Sequence, residues 1–220
     1  MDLINAPESY GENITYSRNS IDISTSYTKS TTYPDLIVQN VDHPRKLLTV
    51  IKQISAVHKD ELSVHLIIMG LNKVAMTLGT IKDGDDCTVL HWAALSGTDQ
   101  RLIGILLEVA DDVKKFIFTR NVSGNTALHL VVISACECAN SIRICHKTGE
   151  DNKRYTRAYN NYKEIIRLLI NAVGDRSTEL IKMKNRQGRT ARSLATGEIA
   201  QIIDNYHADD KMISCCCCWF

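Results

Sequence analysis

Apolar residues recur with a helical period from residue 44 onward. The segment "PRKLLTVIKQISAV" places its apolar side chains on one face of a helix, namely Leu47, Leu48, Ile51, Ile54 and Val57. Two shorter apolar runs, "DELSVHLIIMG" and "LNKVAMTLG", each close on a glycine, as helices often do. No alternation typical of a strand competes with this period. The pattern predicts three helices between residues 44 and 79 and an all-α fold.

Three similar segments follow further along the chain. They are "DGDDCTVLHWAALSG", "NVSGNTALHLVVIS" and "NRQGRTARSLA", and their aligned threonines, Thr88, Thr126 and Thr190, are 38 and then 64 residues apart. The first two segments are each followed by a second apolar helical run, "RLIGILLEVAD" and "YKEIIRLLINAVGD", and the third by the shorter "EIAQIID". The sequence therefore predicts a repeated unit of a turn and two helices.

The repeated segments carry a recognisable motif. Residues 88–94 and 124–129 resemble the turn-Gly-x-Thr-Pro-Leu-His-x-Ala-Ala pattern of the ankyrin-repeat family. The third unit has Arg192 and Ser193 in place of the motif's Leu and His, which suits a capping repeat. A degenerate fourth unit is predicted at "ELSVHLIIM", where His65 stands 26 residues before His91. The resemblance covers residues 61–206.

The resemblance implies an ankyrin-repeat solenoid with a helical amino-terminal cap and a disordered amino-terminal tail. In that family the threonine caps the first helix, and the histidine ring bonds backbone and hydroxyl groups between neighbouring units. The residues that the motif assigns to this structural role are Thr88, His91, Thr126, His129, Gly124 and Gly188.

Composition shifts suggest the domain boundaries. Residues 1–33 are rich in Ser, Thr, Tyr and Asn, and a segment with so few apolar residues cannot offset its ordering entropy, so we expect disorder there. Residues 34–82 are expected to form a helical cap or degenerate repeat, and residues 83–206 the ankyrin repeats. A Cys-rich tail follows at residues 207–220.

The second unit contains an insertion at about residues 136–160. It is basic and aromatic, with Lys147, Lys153, Arg154, Tyr155, Arg157 and Tyr159. It is expected either to contact a phosphate-rich partner or to extend the first helix into a solvated linker. Zinc is a further alternative through Cys136, Cys138, Cys145 and His146. That set lacks the two paired knuckles of most zinc sites, so no metal is predicted.

The family's binding surface is a concave groove beside the motif histidines. There this chain has apolar residues, with two aspartates at the neighbouring turn. The resemblance implies partner-binding roles for Trp92, Leu95, Leu130, Ile133, Asp85 and Asp86. The alternative is that the amino-terminal helices or the insertion fold over this strip.

Charge and cysteine usage narrow the function. The chain has 26 Lys and Arg against 25 Asp and Glu, so no basic field is present to attract nucleic acid, and no nucleic-acid partner is expected. Eight cysteines without a framework pattern favour a reducing, cytoplasmic compartment. No leader peptide and no apolar stretch long enough to span a membrane are expected.

The carboxyl-terminal segment "SCCCCWF" suggests a membrane tether. Four adjacent thiols are plausible sites for S-acylation, and the last four residues have the length of a prenylation box, although Trp219 occupies a slot that is normally aliphatic. Alternatively, the tail packs on the body or is redox-active. The predicted lipidation sites are Cys215, Cys216, Cys217 and Cys218.

These features predict a non-enzymatic adaptor that binds another protein, identity unknown, and contacts a membrane through its tail. No cofactor is expected, because there is no Gly-rich phosphate loop, nucleophile elbow or metal-binding helix. One alternative is a ubiquitin-ligase substrate receptor, since "YPDLIVQNVDHPRKLLTVIKQIS" faintly resembles an F-box. Another is a secreted effector of an intracellular microbe, which would act in the host-cell cytoplasm.

Overall fold

A computed structural model describes residues 32–57 and 61–216, with the side chains of Tyr33 and of residues 54–57, 61–63 and 207–216 excepted. Within these ranges the chain is all-α and has no β-strand, apart from an isolated bridge between Lys184 and Thr190. The described α-helices are α1 (Tyr33–Gln39), α2 (Pro44–Val57), α3 (Glu61–Asn72), α4 (Val89–Leu95), α5 (Gln100–Val109), α6 (Val113–Phe118), α7 (Ala127–Thr148), α8 (Lys153–Ala172), α9 (Ser177–Lys182), α10 (Ala191–Leu194) and α11 (Gly197–Cys216).

The helices are stacked in two rows. One row consists of α2, α4, α7 and α10, and each of these helices packs on the next. The second row consists of α3, α5, α8 and α11, again in chain order. Each helix of the first row therefore pairs with the following helix of the second, and α1 packs on α3 and α2 at the amino end.

A continuous apolar core lies between the two rows. It runs from Ile37 in α1 to Ile203 in α11, both with no exposed surface. Every helix pair contributes to this core, because the apolar residues of each helix lie on the side that faces the other row. No pair could bury this surface alone, so neighbouring pairs stabilise one another.

The segment before the first motif continues both rows. α2 lies in the first row and α3 in the second, so this pair occupies the place of a further unit. The expected equivalence of His65 with His91 is wrong, because His65 lies exposed on α3 in the second row. Helix α1 begins at Tyr33 after its N-cap Thr32, and the rest of the predicted disordered tail lies outside the described residues.

The insertion extends two helices. α7 is 22 residues long and α8 is 20 residues long, and only residues 149–152 separate them. Gly149 ends α7 with a φ of 75°, and its N–H bonds to the carbonyl of Cys145. The expected extension of the first helix is confirmed, whereas a long solvated linker is wrong, because α8 begins at Lys153 and packs along α7.

Of the described helices, α7 alone is long and apolar enough to cross a bilayer by length and composition. The expectation that no such stretch exists is therefore wrong. However, 44% of its most apolar window is buried inside the protein, and the core helices of other proteins also reach this length and apolar composition.

Candidate partner-binding groove

Three turns lie side by side at the amino ends of α4, α7 and α10. We call residues 83–87, 121–125 and 185–189 the first, second and third turns. The N–H of Val122 donates to the carbonyl of Asp85 at 3.0 Å, and the N–H of Arg186 donates to that of Ser123 at 3.0 Å. These hydrogen bonds join each turn to the next and hold them in a row.

Each turn is closed by the side chain at its first position. In the first turn, one carboxylate oxygen of Asp83 accepts hydrogen bonds from the N–H groups of Asp85 and Cys87. The amide oxygens of Asn121 and Asn185 accept the equivalent pairs of bonds in the other two turns. The side-chain oxygen of an Asp or Asn thus closes all three turns, five residues before each N-cap threonine.

The fourth position of each turn has a left-handed backbone. Gly124 and Gly188 have φ values of 73° and 74°, so glycine suits both sites. The first turn has Asp86 there, with a φ of 57°, a conformation that aspartate tolerates better than most residues. Its carboxylate, like that of Asp85, lies exposed at the tip.

Two buried histidines connect the turns to the helices. The Nδ1 atoms of His91 and His129 accept hydrogen bonds from the N–H groups of Thr88 and Thr126, at 3.2 and 3.3 Å. Each Nε2–H therefore donates across to the next turn, from His91 to the carbonyl of Asn125 and from His129 to that of Arg189. These are the bonds that the motif implies.

Burial governs the charge state of both rings. His91 is 1% exposed, and desolvation lowers its pKa from 6.5 to about 4, against a smaller upward effect of its bond to Asn125. Desolvation also lowers the pKa of His129. Both rings are therefore neutral at pH 7, with both nitrogens engaged in structural bonds.

Trp92 is half-buried at the amino end of the row. Its indole N–H donates to the second carboxylate oxygen of Asp83 at 2.6 Å, and the guanidinium of Arg45 lies 4.9 Å from the ring centroid. Helix α2 thus covers part of this site, in line with the alternative that amino-terminal helices fold over it. Leu95 is partly buried, and its carbonyl accepts hydrogen bonds from Ser134 and Tyr162.

An open cleft of about 720 Å³ lies further along the row. Helix α10 is only four residues long, whereas α7 continues to Thr148, so one flank of α7 is left uncovered there. We call this space the groove cleft. Its lining residues are Val122, Ser123, Asn125, Ile133, Cys136, Glu137, Asn140, Asn185, Arg186, Gln187, Arg189 and Leu194.

The structure divides the predicted partner-binding residues. Ile133 lines the groove cleft, whereas Trp92 lies at the other end of the row against α2. Leu130 is partly buried and is not among the residues that line the cleft. Sequence analysis missed Arg186 and Arg189, although the alignment of "NRQGR" with the first turn could have indicated them.

Net charge changes along the row of turns. The first turn is acidic through Asp83, Asp85 and Asp86, the second has no charged residue, and the third is basic through Arg186 and Arg189. The backbone bonds between the turns fix this order in space. An extended segment lying along the row would meet opposite charges at its two ends.

The remaining predicted sites fall outside the groove. Helix α11 ends at Cys216, so Cys217 and Cys218 lie outside the described residues, and the side chains of Cys215 and Cys216 are not described. Within the described part of the chain, no three His, Cys, Asp or Glu side chains come together as a metal site. Burial raises the pKa of the Cys87 thiol to about 11.

The F-box-like segment forms α1, α2 and the connection between them. Leu47 is 1% exposed within the core, whereas Leu36 is partly buried. A substitution at Leu47 would therefore damage the fold of this chain and would not by itself reveal a ligase adaptor.

Comparison with models of known protein families finds no match for this chain, and comparison with curated proteins finds no significant relative.

Proposed function

We propose that this chain is an ankyrin-type scaffold without enzymatic activity, which binds an extended segment of another protein in the groove cleft. The observation that carries the proposal is the position of the cleft, open beside a row of turns held by hydrogen bonds. A rigid receptor loses little conformational entropy when it binds, so a modest contact area can give useful affinity.

The two histidines support the ankyrin assignment. The bonds from Thr88 to His91 and on to Asn125 recur in the next unit, where Thr126, His129 and Arg189 take the same places. The repeated sequence motif thus forms the same hydrogen bonds in both units. These bonds also leave both rings without a free nitrogen for proton transfer.

The cleft combines apolar and polar walls. Ile133, Val122 and Leu194 supply apolar surface, while Arg186 and Asn140 supply donors at the edges. Such a mixture suits a peptide that inserts one apolar side chain and presents polar groups to the rim. The basic third turn favours acidic residues in the peptide near that end.

The test selects peptides from a displayed random library on the wild-type protein and then measures their affinity for two variants. Ile133→Asp places a carboxylate inside the groove cleft. Ile144→Asp makes the same change on the same helix at a residue that is 57% exposed and does not line the cleft. Both variants are first checked for unchanged helical content.

We expect Ile133→Asp to weaken the selected peptides by at least about tenfold, the loss of a central apolar anchor. Ile144→Asp should leave the affinity within about twofold. Peptides that bind equally well to wild type and Ile133→Asp, or that are weakened equally by both changes, would contradict binding in this cleft.

A further inference from the structure

A second cleft lies on the side of the molecule where α8 meets the beginning of α5. Its volume is about 460 Å³. Helix α8 brings side chains from the insertion, and the turn before α5 brings the others. The lining residues are Gly97, Asp99, Gln100, Arg101, Arg154, Arg157, Ala158 and Asn161. We call this space the arginine cleft.

Hydrogen bonds of the Asn161 side chain hold the floor of the arginine cleft in place. Its side-chain amide donates to the carbonyls of Gly97 and Thr98 at 2.8 and 2.9 Å, and its oxygen accepts from the N–H of Gln100 at 3.3 Å. The next residue, Tyr162, donates from its hydroxyl to the carbonyl of Leu95. The insertion is therefore locked onto the neighbouring turn, and the cleft has a defined shape.

Positive charge dominates the lining. Arg154 and Arg157 are three residues apart on α8, so they project from one side of the helix, and Arg101 faces them from α5. The single acidic side chain is Asp99, which caps α5 and lies 4.0 Å from Arg101. Within the described ranges, Arg154 and Arg157 form no ion pair.

Three guanidinium groups around one cleft repel one another unless an anion lies between them. Each guanidinium offers a planar pair of donors that matches the oxygens of a phosphate group. The first N–H groups of α5 already have acceptors, since Asp99 takes that of Arg101 and Asn161 takes that of Gln100. A ligand would therefore be held mainly by the arginine side chains.

We propose that the arginine cleft binds a ligand that carries clustered phosphate groups. This site is separate from the groove cleft and does not depend on the proposed function. Either a soluble diphosphate or the phosphorylated headgroup of an inositol lipid has the required chemistry. Binding to the lipid would place α8 against a membrane surface.

The experiment uses the full chain and two double variants. Arg154→Gln with Arg157→Gln removes two charges from the arginine cleft. Lys147→Gln with Lys153→Gln removes two charges from the same insertion, one at the end of α7 and one at the start of α8, and neither residue lines the cleft. Pyrophosphate binding is measured by calorimetry, and lipid binding by flotation with phosphatidylcholine vesicles containing phosphatidylinositol bisphosphate or, as the control, phosphatidylserine.

We expect the arginine variant to lose at least about tenfold in pyrophosphate affinity and the lysine variant less than about twofold. Flotation with the bisphosphate vesicles, lost in the arginine variant, would identify the lipid source, whereas pyrophosphate binding without flotation would identify a soluble one. Equal weakening in both variants, or no binding of either probe by the wild type, would overturn the site.

Discussion

At the residue scale, two neutral histidines connect the turns with the helices. Since burial holds the pKa of His91 near 4, the ring becomes protonated in the folded state only at strongly acidic pH. In the unfolded chain the same ring takes up its proton near pH 6.5. The folded protein therefore gains stability above pH 6.5 and loses it as the pH falls toward 4.

We expect His91 to lower the free energy of unfolding by on the order of 3 kcal/mol between pH 6.5 and 4, measured by urea denaturation at several pH values. His91→Gln should lower the stability at pH 7.5 and flatten its decline below pH 6.5. His65→Gln, at an exposed histidine, should keep the wild-type profile. An unchanged slope in His91→Gln would contradict the assignment.

A second residue-scale feature is the close approach of Gly97 to Tyr162. Gly97 has a φ of 56°, and a Cβ atom there would lie 2.8 Å from the tyrosine ring. Gly149 has a similar φ of 75° but open space around the Cβ position. Alanine substitutions at these two glycines therefore separate the stability cost of backbone strain from that of steric contact.

Gly149→Ala should cost about 1 kcal/mol of stability, which is the strain of a left-handed alanine. Gly97→Ala should cost about 1–3 kcal/mol more, because the ring of Tyr162 must move and the hydroxyl bond to Leu95 is disturbed. Thermal and urea unfolding of both variants give the comparison. Equal losses would show that the ring yields without cost.

At the element scale, the groove cleft results from the unequal lengths of α7 and α10. The row of turns beside it carries the charge order that an extended partner would meet. Arg186 and Arg189 lie at the basic end, and both line the groove cleft. Their effect on a partner can be separated from folding, because both are exposed.

Arg186→Glu with Arg189→Glu should weaken acidic peptides selected on the wild type by at least about tenfold. Peptides with lysine in place of their acidic residues should bind this variant better than the wild type, a charge exchange that measures the pairing directly. Lys147→Glu with Lys153→Glu, at two exposed residues outside the cleft, is the matched control. Failure of the exchanged pair to recover affinity would count against contact with the third turn.

The sequence pattern predicted the helical units. Of the insertion, it predicted the extension of α7 but not the first turns of α8. Apolar spacing indicated α7, whereas the first turns of α8, "KRYTRAYNN", have little apolar surface. These turns lie where they do because Asn161 and Tyr162 bond to residues more than 60 positions away. Local patterns cannot show such a contact. For the same reason, sequence analysis left open whether the amino-terminal helices cover Trp92, and it could not identify Arg45 as the residue beside the ring.

At the scale of the whole molecule, the net charge of +1 hides a strong separation of charge. The acidic first turn, the basic third turn and the arginine cleft lie in separate parts of the structure. Composition alone excluded a global basic field, and it could not show these local clusters, because they depend on which units the fold places side by side.

Lipidation of the tail also belongs to this scale. In a eukaryotic cell we expect added lipid mass on the carboxyl-terminal peptide and partition of the protein into membranes. Serine at Cys215, Cys216, Cys217 and Cys218 should abolish both, whereas Cys138→Ser, on α7, should change neither. Intact-protein mass spectrometry with membrane fractionation gives the measurement, and an unmodified wild-type mass would refute the tether.

The lock between Asn161 and the turn at Gly97 has a consequence for synthesis on the ribosome. Repeat proteins can fold unit by unit as the chain emerges, since each unit needs only its neighbours. Here the carbonyls of Gly97 and Thr98 receive their hydrogen-bond donor from a residue 63–64 positions later. The turn between α4 and α5 can therefore gain these two bonds only after the whole insertion has left the exit tunnel.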